Sequence, residues 1–389
     1  MFDLLSSRSS SRLWCFGVAL GVVFLACGPL PTGDDGGPKA SVYQWNLPSG
    51  FTEPPVPGSN PMSAAKVELG RYLFHDRRLS FNETQACATC HQPARAFTDG
   101  RPKAVGSNGD VHLRGPLSLS NAAWRATYNW SNSLLRTLEQ QALVPLFNID
   151  PIAELAMDGH EDVLLARLQG DPTYQALFAE AYPDLEQRFK VSTAVNAIAS
   201  FVRTIVSGNS QYDRYVNGDS TALDGAAKRG MELFYGKARC GQCHSGITFT
   251  DVEYRSDMKP SQIPFHIEGL YNVDGNGMYP ASDLGFFIQT GNPADVGKFR
   301  TPTLRNIALT APYMHDGSLP TLADVIAHYA DPFSLDAAGN RVAMNPRADP
   351  ILKGIALTAA ERGDLERFLE ALTDESFVND PKYANPFGS

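Results

Sequence analysis

Apolar residues recur at spacings of three and four in several stretches of this 389-residue chain, and each such stretch predicts an amphipathic helix. AAKVELGRYLF around residue 70 and AAKRGMELF around residue 230 show that spacing, with alanines between the larger side chains. Residues 134 to 206 read as helical; within them VSTAVNAIASFVRTIVSG has Ser192 as its N-cap and Gly208 past its end. From Thr358 onward, Thr358 and Glu361 form a capping box, and Leu365, Phe368, Leu369 and Leu372 make one stripe. In TLADVIAHYADP, residues 321 to 332, Leu322, Val325, Ile326 and Tyr329 share a face, and His328 points about 100° away. No alternating run is adequate for a large sheet. The expected fold is mainly α, with long loops and little sheet.

One apolar stretch has a different meaning. LWCFGVALGVVFLAC follows Arg8 and Arg12 and has the length of a signal peptide rather than a spanning helix. Residues 1–26 are therefore expected to be an export signal of the lipoprotein type. The word Phe24-Leu25-Ala26-Cys27 resembles a lipobox, which would place a lipid anchor on Cys27; ordinary cleavage nearby is the alternative. GPLPTGDDGGPKAS opens a lead-in over 27–60 that should be flexible. The product would be exported and periplasmic. A formal charge of −9 without a Lys/Arg run argues against nucleic acid and suits a basic protein partner.

Two five-residue words carry the chemistry, CATCH at 87–91 and CGQCH at 240–244. In C-x-x-C-H the two thiols form thioethers with haem vinyl groups, and the histidine supplies an axial nitrogen. A single such word could be a zinc site or a redox dithiol. Here each word follows a Gly-x-x-x-Phe helix, Gly70 to Phe74 and Gly230 to Phe234, and precedes Phe-Thr-Asp, at 97–99 and 249–251. The repeat predicts two cytochrome c-like haem domains, 61–216 and 217–389, meeting near NGDSTALDG. Cys87, Cys90 and His91 would hold one c-type haem, and Cys240, Cys243 and His244 the other. NVDGNG at 272–277 looks like half an EF-hand loop but reads better as a turn.

FRTPTLRNIALTAPYMHDGSLPTLADVIAHYADP, residues 299–332, resembles the bacterial dihaem cytochrome c peroxidase and MauG superfamily, and the likeness runs from residue 43 to the end. Within it YQWNLPSGF, RGPLSLSN, LEQQALVP and NGMYP resemble the MbnH family of dihaem enzymes. In the ordinary peroxidases a Met fourteen residues after the His of the HDG word ligates the second haem. Here that count from His315 reaches Tyr329, as in the MauG type. His328, Met314 and Met344 are competing ligands, and a core tyrosine bonded to a carbonyl is the plain alternative. A phenolate favours higher oxidation states, where a thioether favours reduced iron.

The resemblance further implies Gln141 and Pro145 near the open face of the first haem, with Glu154 as the acid/base for peroxide cleavage. A solvated loop carboxylate is the other reading of Glu154. His112 would be a resting-state ligand or, by preference, a free surface histidine. Trp130 would be the inter-haem relay, with Trp124 as fallback. One calcium ion would take carbonyls of Thr310 and Pro312 and the side chain of Asn121, unless Gly115 occupies that place. The implied activity uses hydrogen peroxide to reach a high-valent two-haem state that oxidises a residue on a copper-binding partner protein, Trp to kynurenine in the MbnH group. The alternatives are a peroxidase fed by a small cytochrome or cupredoxin, and a plain electron-transfer protein.

Overall fold

A computed structural model describes residues 43–388. The expected export signal and Cys27 lie outside the described residues. Twelve α-helices follow one another: α1 (Ala64–His75), α2 (Cys87–Cys90), α3 (Leu138–Phe147), α4 (Glu161–Gln169), α5 (Pro172–Ala181), α6 (Val191–Arg203), α7 (Gln211–Val216), α8 (Gly225–Tyr235), α9 (Phe287–Thr290), α10 (Leu322–Ala330), α11 (Ala359–Glu370) and α12 (Glu375–Val378). Sheet is confined to two antiparallel pairs among the described residues. β1 (His266–Ile267) pairs with β2 (Lys298–Phe299), and β3 (Phe333–Leu335) with β4 (Arg341–Ala343). The mainly helical fold is thus observed. No helix among the described residues is long and apolar enough to cross a membrane.

Two helix crossings organise the molecule. α1 lies across α6, and α8 across α11. At each crossing a glycine lets the backbones touch: a Cβ on Gly70 would overlap the carbonyl oxygen of Ala197, and one on Gly230 that of Asp364. Beside each glycine a fully buried phenylalanine pair closes the contact, Phe74 with Phe201 at 5.1 Å and Phe234 with Phe368 at 5.2 Å. Burying such a ring stabilises by roughly 1.5–3 kcal/mol. The glycines of the sequence repeat therefore exist for close packing.

The helix ends follow their local chemistry. Thr358 caps α11 with Glu361 in a reciprocal box, as expected. α6 starts two residues earlier than Ser192 as N-cap implies, with Lys190 at the cap, where the hydroxyl of Thr193 accepts the N–H of Lys190. It also stops at Arg203, and Gly208 instead packs against Pro48 and Phe51. The continuous helical reading of 134–206 gives way to four helices, broken where 148–160 and 182–190 run as loops and turns.

Contacts cross the expected boundaries at three places. The lead-in is built into the fold from residue 43: Phe51 packs edge-on against Trp124 at 5.4 Å, and buried Asn60 donates to Glu139 and to the Asn196 carbonyl. Ahead of residue 217, Tyr212 of α7 packs on Phe249 and Phe368 of the second core. Finally, the chain beyond Asp374 returns to the first core. Phe377 and Tyr383 stand against Phe97, and the Tyr383 hydroxyl donates to the Thr204 carbonyl at 2.7 Å.

Candidate functional site

Each C-x-x-C-H word sits on a single helical turn that follows a crossing helix. The histidine that ends the turn is held in one tautomer. Nδ1 of His91 lies 2.9 Å from the Phe97 carbonyl, and Nδ1 of His244 lies 3.1 Å from that of Phe249. A carbonyl only accepts, so Nδ1 carries the proton and Nε2 keeps its lone pair for a metal. Burial lowers the pKa of both imidazoles, which keeps them neutral. Phe97 and Phe249 have φ of +62° and +51°, an uncommon left-handed backbone that turns each carbonyl back toward its histidine. The Phe-Thr-Asp repeat is the device that orients the axial nitrogen.

The four cysteines of the two words are free, and burial pushes each thiol up to about 12. A redox dithiol needs the opposite shift. Nor do Cys87, Cys90 and His91, or Cys240, Cys243 and His244, converge on one point as zinc ligands would; among the described residues the only such cluster is Cys243, Asp251 and His266. The surroundings fit haem instead. Cys240, Cys243 and His244 line a cavity whose wall also holds Phe234, Ile326, Leu365 and Leu369, and at another side Arg125 and Arg300. These two guanidiniums are buried, and Nε of Arg125 and Nη2 of Arg300 have no hydrogen-bond partner. Burial lowers the pKa of both, Arg125 to about 10. Buried unpaired N–H donors call for an anion, which the carboxylate edge of a haem supplies.

α3 and the loop after it lie near the first word: Cys87, Ala142 and Phe147 pack against the same core. Pro145 lies inside α3 and has no N–H, and its own carbonyl accepts from Leu155 at 2.9 Å. Met157 likewise donates to Leu146, so residues 148–153 bulge and the chain returns beside the helix. The bulge brings Glu154, beside Leu155, back to Pro145. The Glu154 carboxyl takes no hydrogen bond, burial raises its pKa, and its field reaches the thiols of Cys87 and Cys90. The residue is half-buried. On the same helix Oε1 of Gln141 is buried without a donor. His112 is half-buried, and its Nδ1 accepts from the Arg114 N–H, so it is less free than expected.

On the second word's open side, Tyr329 lines the cavity with Cys240, Cys243 and His244. Its hydroxyl has no hydrogen-bond partner, and burial, then Glu268, pushes its pKa up. Met314 lines the same cavity. His328 does not point outward; it is fully buried with Nε2 3.0 Å from the Glu268 carbonyl, because α10 is covered by Phe333 as well as by the core. Met344 sits by Gly269 and Ser334, outside the cavity lining.

Trp130 lines the cavity and donates its indole N–H to the Gly115 carbonyl at 2.9 Å. Trp124 instead bonds Thr52 and packs on Phe51. The calcium set is not brought together. Asn121 spends its amide on the backbone of Ser207, donating at 2.8 Å and accepting at 2.7 Å, whereas the Thr310 and Pro312 residues line the cavity. In NVDGNG, Asn272 accepts from Gly277 and Asp274 from Asn276 and Met278, a self-closed turn.

Sequence reasoning missed a further repeat. Asn121 and Asn306 both have left-handed φ, both donate N–H to the carbonyl of the second residue after a crossing helix, Ile205 and Leu372, and both accept from the next segment, Ser207 and Asp374. The shared word is only Leu-x-Asn, at 119–121 and 304–306. Also missed were Arg125, Arg300 and the imidazole of His266, clamped by Asp251 at 2.7 Å and Asp349 at 2.8 Å.

Relatives agree with this construction. A family model described as di-haem cytochrome c peroxidase matches residues 64–221. Cytochrome-c peroxidase IdrP1 of Pseudomonas sp. (strain SCT) is 38% identical over 82% of this chain and 83% of its own length. Methylamine utilization protein MauG of Methylorubrum extorquens is 35% identical, with 82% of each chain covered. The crystal structure of a MauG-like protein associated with microbial copper homeostasis superimposes with a TM-score of 0.84 at 42% identity, covering 89% of this chain and 99% of that one. With two haem-attachment words on a duplicated scaffold and these relatives across most of its length, the chain belongs to the di-haem cytochrome c peroxidase and MauG family of peroxidase-type oxidoreductases.

Proposed function

We propose that the protein uses hydrogen peroxide to oxidise a side chain on a copper-binding partner protein in the periplasm, a tryptophan taken to kynurenine, as the MbnH resemblance implies. The observation that carries this reading is Tyr329, a half-buried phenol without a protein hydrogen-bond partner on the wall that holds Cys240, Cys243 and His244. A phenol in that place stays protonated unless a cation compensates it, and ferric iron is such a cation. When bound, two c-type haems supply the reaction with peroxide and store its oxidising equivalents.

The chain's own residues do the rest. Nε2 of His91 and of His244 would hold one haem each, and the Tyr329 oxygen would be a further ligand to the second. Glu154, raised by burial, holds a proton for the departing oxygen of peroxide, and the unpaired carbonyl of Gln141 accepts from the peroxide O–H. Pro145 keeps the helix free of an N–H at that surface. Trp130 lies on the cavity wall as the relay between halves. Calcium in this reading takes the carbonyls of Thr310 and Pro312 without Asn121. Export and a lipid anchor at Cys27 would place the enzyme where a copper-binding partner is met. The similarity to cytochrome-c peroxidase IdrP1 favours a second reading, peroxide reduction with electrons from a small cytochrome or cupredoxin.

A redox titration with a turnover assay separates them. A low-potential second haem, slow oxidation of reduced cytochrome c and a mass change at a partner tryptophan are expected. A high-potential His/Met spectrum with rapid cytochrome turnover overturns the first reading.

A further inference from the structure

Two tyrosines donate to a carboxylate among the described residues, and their surroundings differ. Tyr174 gives its proton to Asp76, which is already bound by the Arg78 guanidinium, deep in the first core. Tyr271 donates to Oδ2 of Asp316 at 2.5 Å, in the range of a bond to an ionised acceptor. Asp316 enters no ion pair; its other oxygen accepts only the Ser318 N–H at 3.1 Å. Its basicity is therefore not spent on a cation.

The half-buried Tyr271 ring lies 6.2 Å from that of His315, which stacks on Phe299 at 3.9 Å and 13°. Trp130 packs against the same group, and Trp130, Phe299 and His315 all line the cavity. The rings run without a break from the cavity wall to Tyr271. Tyr279 also belongs to the group, but its buried hydroxyl has no acceptor. Removing an electron from Tyr279 would leave its proton nowhere to go.

We propose that Tyr271 and Asp316 form a proton-coupled redox station outside the cavity, through which reductants too large to enter it, protein side chains or phenols, deliver electrons. The inference rests on the peroxide reading above. Tyr271 gives one electron through the ring group to the peroxide-oxidised haem pair. Its O–H bond breaks as the proton passes to Oδ2 of Asp316, leaving a neutral phenoxyl radical and a carboxylic acid. One electron from the external reductant, with the proton returned from Asp316, restores the phenol.

The test mixes haem-loaded protein with hydrogen peroxide in the absence of partner, freezes it, and records the electron paramagnetic resonance spectrum alongside the Soret band. A tyrosyl radical is expected, absent in Tyr271→Phe. In Asp316→Asn the hydrogen bond can persist but the base is lost, and radical formation should slow by about 10²-fold and lose its solvent isotope effect. The Soret response should be unchanged in both variants. A tyrosyl signal that survives Tyr271→Phe, or a normal rate in Asp316→Asn, overturns the station. A changed Soret band with no tyrosyl radical in the unaltered protein overturns it alone; an unmoved Soret band overturns the peroxide reading with it.

Discussion

The two halves share their scaffold and differ in what faces each open side. Gly70 and Gly230 permit the same helix crossing, Phe97 and Phe249 orient the same histidine nitrogen, and Asn121 and Asn306 clamp the same helix end. The first half has a helix with an internal proline and, after it, the half-buried Glu154 carboxyl without a hydrogen bond; the second has Tyr329 on a capped helix, on the wall that holds His244. Attachment and orientation can be duplicated because they are local. Reactivity is then set by whichever side chain the remaining segments bring to the far wall.

Erasing that difference should have the largest effect. Tyr329→Met gives the second half the ligand of an electron carrier, and its potential should rise by a few tenths of a volt. Potentiometric titration reads the shift, and partner oxidation should be suppressed together with it. An unmoved potential would mean the phenol is packing. On the first half, Glu154→Gln keeps the shape and removes the transferable proton, and the peroxide-driven Soret change should slow by about 10²–10⁴-fold in stopped flow. Tyr329→Met should leave that rate intact.

The shared scaffold can be broken one half at a time. Gly70→Val or Gly230→Val places methyl groups against the Ala197 or Asp364 carbonyl, and each should cost about 3 kcal/mol. Hydrogen exchange resolved on α1 and α8 should show the loss confined to the altered half. The link through Phe377 and Tyr383, which sit in the first core although they follow the second, sets how far Gly70→Val spreads.

What was legible in the chain was local or periodic. Thr358 with Glu361, the stripe through Leu365 and Phe368, and the two C-x-x-C-H words are short-range patterns that tertiary contacts reinforce. The burial of His328 was not legible, because helix phase shows one buried face and cannot show that Phe333 and the Glu268 carbonyl cover the other. The return of Phe377 and Tyr383 to Phe97 leaves no periodic trace, since it joins residues far apart in sequence. The approach of Glu154 to Pro145 depends on how a loop folds back, which no local pattern shows. Arg125 and Arg300 gave no motif, because an arginine becomes informative only when burial leaves its N–H groups unpaired.

The smallest effect expected concerns the aspartates of the repeated Phe-Thr-Asp words. Asp251 hydrogen-bonds His266, which also meets Asp349, and these partners raise the imidazole to about 9 against burial. A cation whose folded pKa exceeds its unfolded value of about 6.5 stabilises fully below that value, and the gain is lost as pH rises through about 9. Asp99 has no histidine; burial raises its carboxyl pKa against the Arg101 N–H. A carboxyl raised on folding favours the folded state in acid and opposes it once ionised, so its contribution is already lost above its ordinary range. Between pH 7 and 10 only the second half should weaken from this source, by about 2 kcal/mol. Hydrogen exchange on α8 should accelerate over that window while α1 holds, and His266→Gln should remove the slope. Equal acceleration of both helices would show that the weakening comes from the shared tail contacts rather than from the histidine clamp.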